Sequence, residues 1–354
     1  MIHKKGNRKR VKSKTNLPYG TEDLDPVVVA YHENGVRRVR CYVRGCPHIL
    51  RVPTRHDRGE VCPDHGIRCH NSSYGATYSY VDVRRNIIAS PGLFATRIVG
   101  HPFKYESHRL GYEKSEDALS WNVFRSLQEA GCLAELVFRM TGEDHAAEPQ
   151  LFLWGINVTD DRCEPWDLLI AARERFESHL PVVRPKTEPD IGLYLPGKYL
   201  ILIEAKFTSP NTYYERGPRK DRQSLTFDEL LNIYSDPSLE ILDIEKARSQ
   251  QRIYYQLWRN MVFAEWMAKI GSTGTIAYHV NLLRESSCDQ LPVAFSRLVR
   301  DRHSNRFLPY TWEEIFRGTE SELTILASYT LTKTASLLPA FQTSPCEKTH
   351  SKLS

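Results

Sequence analysis

The chain of 354 residues is 41% hydrophobic and 26% charged, a composition that excludes a disordered polymer and is long enough for about two domains. No stretch approaches the ~18–20 apolar residues of a membrane span, and the first residues are basic with no apolar signal segment. A reducing, cytoplasmic setting is therefore expected, in which the eight cysteines serve metals or burial rather than disulfides.

The formal charge of +5 is concentrated at the start of the chain. Residues 1–15 hold Lys4, Lys5, Arg8, Lys9, Arg10, Lys12 and Lys14 and no acid; without these seven, 41 bases face 43 acids. Residues 1–22 read as a basic, flexible tail. A second basic run, Arg37, Arg38, Arg40, Arg44, Arg51, Arg55 and Arg58, has Asp57 as its nearby acid. Such arms favour polyanions through counterion release, although a solvated terminus has the same composition.

Residues 23–75 are rich in Cys, His and Arg. Cys41 and Cys46 are separated by four residues, Cys62 and His65 by two, and the pairs by fifteen. The Cys62-Pro63-Asp64-His65-Gly66 turn directs backbone amides at a thiolate and sets a second ligand one turn on, as in a zinc knuckle. Two knuckles supply the four ligands of a closed, structural zinc site, which a segment with so little apolar content needs in order to fold. Cys69 competes for the fourth position, with His48 and His70 behind it. Cys132, Cys163, Cys288 and Cys346 are isolated and expected to be inert.

From residue 76 to 340 the chain alternates strand-like and helix-like segments, which predicts an α/β body; residues 341–354 read as a second flexible tail. Ser115 opens a helix to Ala130 with an apolar stripe at Leu119, Val123 and Leu127. Leu133–Arg139 and Leu151–Val158 read as strands, Trp166–Ser178 as a helix, and Ile191–Leu195 and Tyr199–Phe207 as strands across a Pro196-Gly197 turn. Thr226 and Glu229 form a capping box, as do Thr311 and Glu314. A long helix is predicted over Leu239–Ile270, a strand over Thr275–Leu283 and a last helix over Ser321–Phe341. His101, His108, His145, His279 and His303 have no identifiable partner and read as structural.

The chemistry concentrates in Glu188-Pro189-Asp190, thirteen residues, then Glu204-Ala205-Lys206. In a strand, residues 204 and 206 share a face about 6.5–7 Å apart. Burying both in an otherwise apolar strand costs several kcal/mol unless the charges are paired or hold a metal. Asp190 and Glu204 are suited to a hard divalent cation, most naturally Mg²⁺. Such an ion would activate a water, with Lys206 orienting or deprotonating that water and stabilising the transition state. A two-residue hairpin loop would turn Asp190 away from Glu204, whereas a three-residue loop, Pro196 to Lys198, sets them opposite each other. An odd-length loop or a bulge is therefore predicted.

These residues resemble the P-D…E-x-K signature of the PD-(D/E)XK nuclease superfamily, over residues 113–283. The resemblance implies a restriction-endonuclease-like αβββαβ core, with a mixed sheet flanked by helices, and Mg²⁺-dependent hydrolysis of DNA. It also implies a glutamate from the first helix. Glu116 lies on the same face as the Leu119 stripe, with Asp117 pointing elsewhere, Glu113 as the fallback and a helix-dipole role as the plain alternative. Gln251 and Tyr255 are similar to a Q-x-x-x-Y element of RecB-like members, with Gln250 and Gln256 as other registers. Between strand and helix, Tyr213 and Tyr214 interleave with Arg216, Arg219, Lys220 and Arg222, suiting phosphate contact or a solvated loop. The expected protein is an endonuclease with a zinc-ribbon-like module and DNA as partner, in restriction, phage defence, repair or mobile-element processing. No membrane is expected, and a homodimer or protein partner is left open. The alternative is a non-catalytic DNA-binding or assembly protein on the same fold.

Overall fold

The computed structural model describes residues 24–25, 28–54, 57–72, 75–104, 107–180, 186–217, 225–236, 238–287, 291–317, 323–335 and 338–341. The expected tail over residues 1–22 lies wholly outside the described residues, as does that over 341–354 apart from Phe341. So do Arg55, Arg219, Lys220, Arg222, Cys288 and Cys346. No helix among the described residues is long and apolar enough to cross a membrane.

The N-terminal module is built of short strands: β1 (Tyr31–Glu33), β2 (Val36–Arg40) and β3 (Ile49–Arg51) form an antiparallel meander, and β4 (Ile67–Ser72) pairs with β5 (Gly75–Tyr80). Its core is small, with Val39, Tyr42, Leu50, Val52, Ile67, Tyr78 and Tyr80 around buried cysteines. The expected boundary between residues 75 and 76 falls inside the β4–β5 hairpin. The module is tied to the body by Thr77, whose Oγ1 donates to Glu113 Oε2 at 2.6 Å, and by the Glu113 N–H donating to the Tyr78 carbonyl at 3.1 Å.

The body is an α/β unit. Its elements in order are α1 (Glu116–Glu129), α2 (Leu133–Thr141), β6 (Gln150–Leu153), β7 (Ile156–Asn157), α3 (Asp167–Glu177), β8 (Ile191–Leu195) and β9 (Tyr199–Ala205). Then come β10 (Tyr213–Glu215), α4 (Phe227–Ile233), α5 (Ile244–Gln250), β11 (Arg252–Tyr254), α6 (Tyr255–Gly271), β12 (Ile276–Leu283), β13 (Phe307–Thr311), α7 (Trp312–Arg317) and α8 (Thr324–Leu331). Six strands form a mixed sheet in the order β13-β12-β9-β8-β6-β7, with β12 parallel to β9 and β13 and the remaining pairs antiparallel. This arrangement is compatible with a restriction-endonuclease-like fold.

Strand β9 is buried along its whole length because a core covers each of its faces. Tyr199, Ile201, Ile203 and Ala205 join the stripe of α1 in one core, and Leu200 and Leu202 meet α6 in the other. A strand buried on both faces reads as a continuous apolar run rather than an alternating one. On the neighbouring β8, Gly192 lies directly beneath the Trp166 indole: a Cβ there would meet Trp166 Cζ3 at 2.5 Å. Trp166 is also stacked on Phe152 with ring centroids 3.9 Å apart, so it cannot easily retreat. Gly192→Ala is accordingly expected to destabilise the body by about 1–3 kcal/mol, the usual cost of overpacking. Chemical denaturation would measure this, and an unchanged midpoint would show that the indole yields.

Four segments differ from the sequence expectation. Leu151–Val158 is not one strand but β6 and β7, paired antiparallel across a turn at Trp154 (φ 56°) and Gly155 (φ 83°). Leu133–Thr141 is a helix, not a strand: its buried residues Leu133, Leu136, Val137 and Met140 follow helical spacing. The long helix expected over Leu239–Ile270 is divided. Gln251 adopts a left-handed conformation (φ 55°) that closes α5, and Arg252–Tyr254 then pair with β10 before α6 begins. The last helix is confined to Thr324–Leu331 among the described residues. Both capping boxes form, with Thr226 and Thr311 each exchanging hydrogen bonds with the glutamate three residues on.

Candidate active site and metal centre

The β8–β9 hairpin fixes the carboxylate geometry. Leu195 pairs with Tyr199, so the loop is the three residues Pro196 to Lys198; the Lys198 N–H donates to the Leu195 carbonyl at 3.0 Å and Gly197 takes φ 72°. Glycine is the residue that adopts this positive φ without strain. The register continues to Ile191 opposite Ile203, and one step further Asp190 comes opposite Glu204. By strand alternation both then lie on the face of Leu200 and Leu202.

Glu204 is buried (1% exposed), with Lys206 Nζ donating to Oε1 at 2.6 Å and Asn260 Nδ2, from α6, donating to Oε2 at 2.7 Å. Asp190, at the head of β8, accepts the Ala205 N–H on Oδ2 at 2.8 Å. The chain leading to Asp190 is fastened to α3, where Arg173 Nε donates to the Thr187 carbonyl at 2.7 Å and Glu177 accepts the Thr187 N–H at 2.9 Å. Lys206 is anchored by its own backbone: its N–H donates to the Leu282 carbonyl at 2.8 Å, and its carbonyl accepts Trp312 Nε1 at 3.0 Å.

Burial, then the Glu204 charge, push the Asp190 carboxyl well above the ordinary carboxylate range, with Lys206 opposing them. Burial would by itself lower the Lys206 ammonium, but the Glu204, Asp190 and Glu116 carboxylates together outweigh it and raise its pKa. The hairpin end is thus a place where two carboxylates are crowded into low dielectric beside one cation, and carboxylate oxygens are the donors a hard divalent ion takes.

Glu116 reaches this end of β9 from α1 but does not join the pair as a third close ligand. Its Oε1 accepts the Phe207 N–H at 2.8 Å and the Ser209 hydroxyl at 2.7 Å. Asp117, expected to point elsewhere, instead faces the site: its Oδ2 pairs with buried Lys104 at 2.8 Å, Trp154 Nε1 donates to its Oδ1 at 2.9 Å, and its charge acts on Asp190. Lys104 also lies 3.4 Å from Glu188 and 4.4 Å from the centroid of the Trp154 ring. Gln251 is exposed at the α5 cap, where its backbone carbonyl accepts the Arg216 N–H at 2.8 Å; Gln250 is exposed as well. The side chain that α6 sends to the carboxylates is Asn260. Its Oδ1 is buried with no partner among the described residues, and the signal for it was a polar residue inside the apolar run of α6. Asn281 on β12, opposite Glu204, donates to the Glu204 carbonyl at 3.3 Å and accepts from Asn211 at 2.8 Å. Tyr213 is exposed beneath the Arg252 guanidinium, 3.5 Å from its ring centroid, and Arg216 pairs with Asp228 at 3.2 Å. Of the histidines read as structural, His279 is fully buried, its Nδ1–H donating to the Leu202 carbonyl at 2.8 Å, and burial lowers its pKa to about 4.

In the N-terminal module the ligand atoms of Cys41, Cys46, Cys62 and His65 all lie within 4.8 Å of one another. Cys46 Sγ is 3.8 Å from Cys62 Sγ, and His65 Nδ1 is 3.4 Å from Cys62 Sγ and 3.7 Å from Cys41 Sγ. Ligands at Zn–S ~2.3 Å and Zn–N ~2.0–2.1 Å in a tetrahedron are separated by about 3.5–3.8 Å, so these four could hold a metal such as zinc. The two turns are set by Gly45 (φ 77°) and Gly66 (φ 61°). Cys69 is buried outside the group, its Sγ 3.8 Å from the His70 carbonyl. His48 pairs with Asp64 at 2.9 Å, beside the group rather than in it. Among the described residues no cysteine forms a disulfide, and Cys132 and Cys163 are buried.

An α/β unit with this mixed sheet and a carboxylate–lysine hairpin is compatible with a restriction-endonuclease-like fold. In agreement, residues 159–333 match the model of a family described as restriction endonuclease associating with ARP. The matched span includes Asp190, Glu204, Lys206 and Asn260 and leaves out Glu116 and the N-terminal module. No curated protein and no solved structure matches the chain significantly.

Proposed function

We propose that the protein is a metal-dependent endonuclease of the PD-(D/E)XK type that hydrolyses DNA phosphodiester bonds, with a structural zinc in its N-terminal module. The observation that carries this reading is the meeting of Asp190 with the buried Glu204 and Lys206 at one end of the β8–β9 hairpin, with Nζ 2.6 Å from the Glu204 carboxylate. Asp190 and Glu204 would hold Mg²⁺, which when bound lowers the pKa of a water and neutralises charge on the phosphate. Lys206 holds its ammonium against the carboxylate pair, positioned to orient the attacking water and to balance charge developing on the phosphate oxygens. Asn260 keeps the Glu204 carboxylate in one rotamer. Glu116 braces the backbone of Phe207 and Ser209, and so the strand end that carries Lys206. Cys41, Cys46, Cys62 and His65 would hold the zinc. The family's description names an association with ARP, and such a partner is part of this reading.

Incubating the protein with plasmid and linear DNA, with Mg²⁺ and with chelator, tests the reading: Mg²⁺-dependent cutting is expected. DNA binding without cutting under any divalent ion would favour the non-catalytic assembly role. Asn260→Ala, which leaves one Glu204 oxygen without its donor, is expected to lower cleavage by about 10–100-fold, the usual effect of losing a residue that orients a metal ligand. A rate within twofold of the parent, measured at saturating DNA, would remove Asn260 from the site.

A further inference from the structure

The arginine run of the N-terminal module is not uniformly available to a ligand. Arg38 pairs with Glu33 at 2.8 Å, Arg44 with Asp25 at 3.3 Å and Arg51 with Asp57 at 2.9 Å, while Arg37 donates to Asn71 Oδ1 at 3.0 Å. Arg58 and Arg68 form no ion pair among the described residues, one Arg68 nitrogen donating to the Gly59 carbonyl at 3.2 Å, and both line one open cavity of about 520 Å³ where the module meets the body. That volume lies within the ~300–1,000 Å³ of ligand sites. Among the described residues the one acid on its wall is Asp57, already engaged by Arg51 and by the Thr54 hydroxyl at 3.0 Å, so the described wall is left positive.

The floor is the outer face of the β4–β5 hairpin. Arg68 and His70 project from it by strand alternation, opposite buried Ile67 and Cys69. His70 is oriented by a 2.6 Å hydrogen bond to Ser79 Oγ, and its ring lies 4.8 Å from that of Tyr112, which enters from the body. Two guanidinium groups beside an oriented aromatic wall are the parts needed for a phosphate followed by a flat ring.

Resting on the DNA reading above, we propose that this cavity binds one nucleotide unit of a nucleic-acid strand, its phosphate at Arg58 and Arg68 and its base against Tyr112 and His70. Its place in the chain fits. Tyr112 precedes Glu116 by four residues, which at ~3.3–3.6 Å per extended residue span at most about 14 Å. Glu116 touches the end of β9 that carries Lys206. A strand rising ~3.4 Å per nucleotide would therefore join the two places within about four nucleotides.

Fluorescence anisotropy of the full chain with a labelled DNA duplex and a labelled single strand, without added divalent ion, tests this. Arg58→Ala/Arg68→Ala is expected to weaken binding by about tenfold or more and to reduce the salt slope by about one phosphate contact. Tyr112→Ala should weaken it by about 5–100-fold with little change in slope, as loss of base stacking does. Arg38→Ala/Arg44→Ala removes the same charge from the same module and should stay within about twofold of the parent. Should the double variant melt early, charge reversal at exposed Arg58 alone gives the same reading. Equal losses in the two double variants, or a pocket variant that binds like the parent, would overturn the site. Normal binding by Tyr112→Ala would reduce the cavity to a charged patch and overturn the nucleotide assignment. The two proposals fail separately. A parent protein that binds through this cavity but never cuts defeats the nuclease reading alone; a cutting protein whose pocket variants bind normally defeats this one alone.

Discussion

Asp190→Asn is expected to reduce Mg²⁺-dependent cleavage by at least about a thousandfold while leaving DNA binding largely intact, because charge placed where the reaction needs it is the largest single contribution to such sites. The amide is the same size as the acid, and its oxygen can still accept the Ala205 N–H that now reaches Oδ2 at 2.8 Å. The hairpin therefore keeps its shape and only the charge is lost. Lys206→Ala should abolish cleavage as well, but at a cost to the fold. It leaves the nearly inaccessible Glu204 carboxylate with Asn260 as its remaining side-chain donor, and breaking a buried pair from one side costs about 3–5 kcal/mol. Cleavage rates, thermal melts and binding measured together separate the two effects. If Asp190→Asn cuts at a rate near that of the parent, the nuclease proposal falls.

The second large effect is expected from the N-terminal module. Its core is a handful of side chains around Val39, Leu50, Ile67 and Tyr78, too few to offset the chain entropy of about 50 residues. A tetrahedral zinc contributes on the order of 10–16 kcal/mol in comparable small folds. Cys62→Ser should therefore yield protein without zinc in which residues 28–72 are cut readily by protease, while the body melts as a separate, nearly unchanged transition. Cys69→Ser, altering a buried thiol outside the four-ligand group, should retain a full equivalent of zinc. Stoichiometric zinc absent from protein purified without chelator, or a protease-resistant Cys62→Ser module, would show that the module stands on its own packing.

What could be read from the chain depended on how far each inference had to reach. The register of β8 and β9 was accessible because it follows from the parity of one short loop and the requirement that two named carboxylates share a face. The grouping of Cys41, Cys46, Cys62 and His65 was accessible because ligand spacing in two turns is local. Gln251 was misplaced on a continuous helix because the break is set by partners elsewhere: Ile253 and Tyr254 leave helical geometry to pair with Tyr214 and Tyr213. Helical periodicity cannot report such a pairing. Asp117 was set aside by a helical wheel that places residues around an axis. It says nothing of Lys104, more than ten residues upstream, whose ammonium draws the Asp117 side chain toward the site. The expected strand Leu133–Arg139 fails through composition, since Leu, Val and Phe suggest a strand while the spacing of the buried residues is helical.

The Pro196-Gly197-Lys198 turn lies at the far end of the hairpin from the carboxylates, with five paired positions between them, or about 16 Å at strand rise. Nothing in the turn touches Asp190 or Glu204, yet the number of its residues decides whether they face each other. Losing one residue there would rotate every side chain of one strand through the sheet, exchanging the carboxylate of Glu204 for the methyl group of Ala205 or the butyl group of Ile203. Among descendants of this chain the turn is therefore free to vary in composition wherever glycine's φ is supplied, and free to lengthen by twos. A change by one carries a penalty that no local repair at the carboxylates can remove.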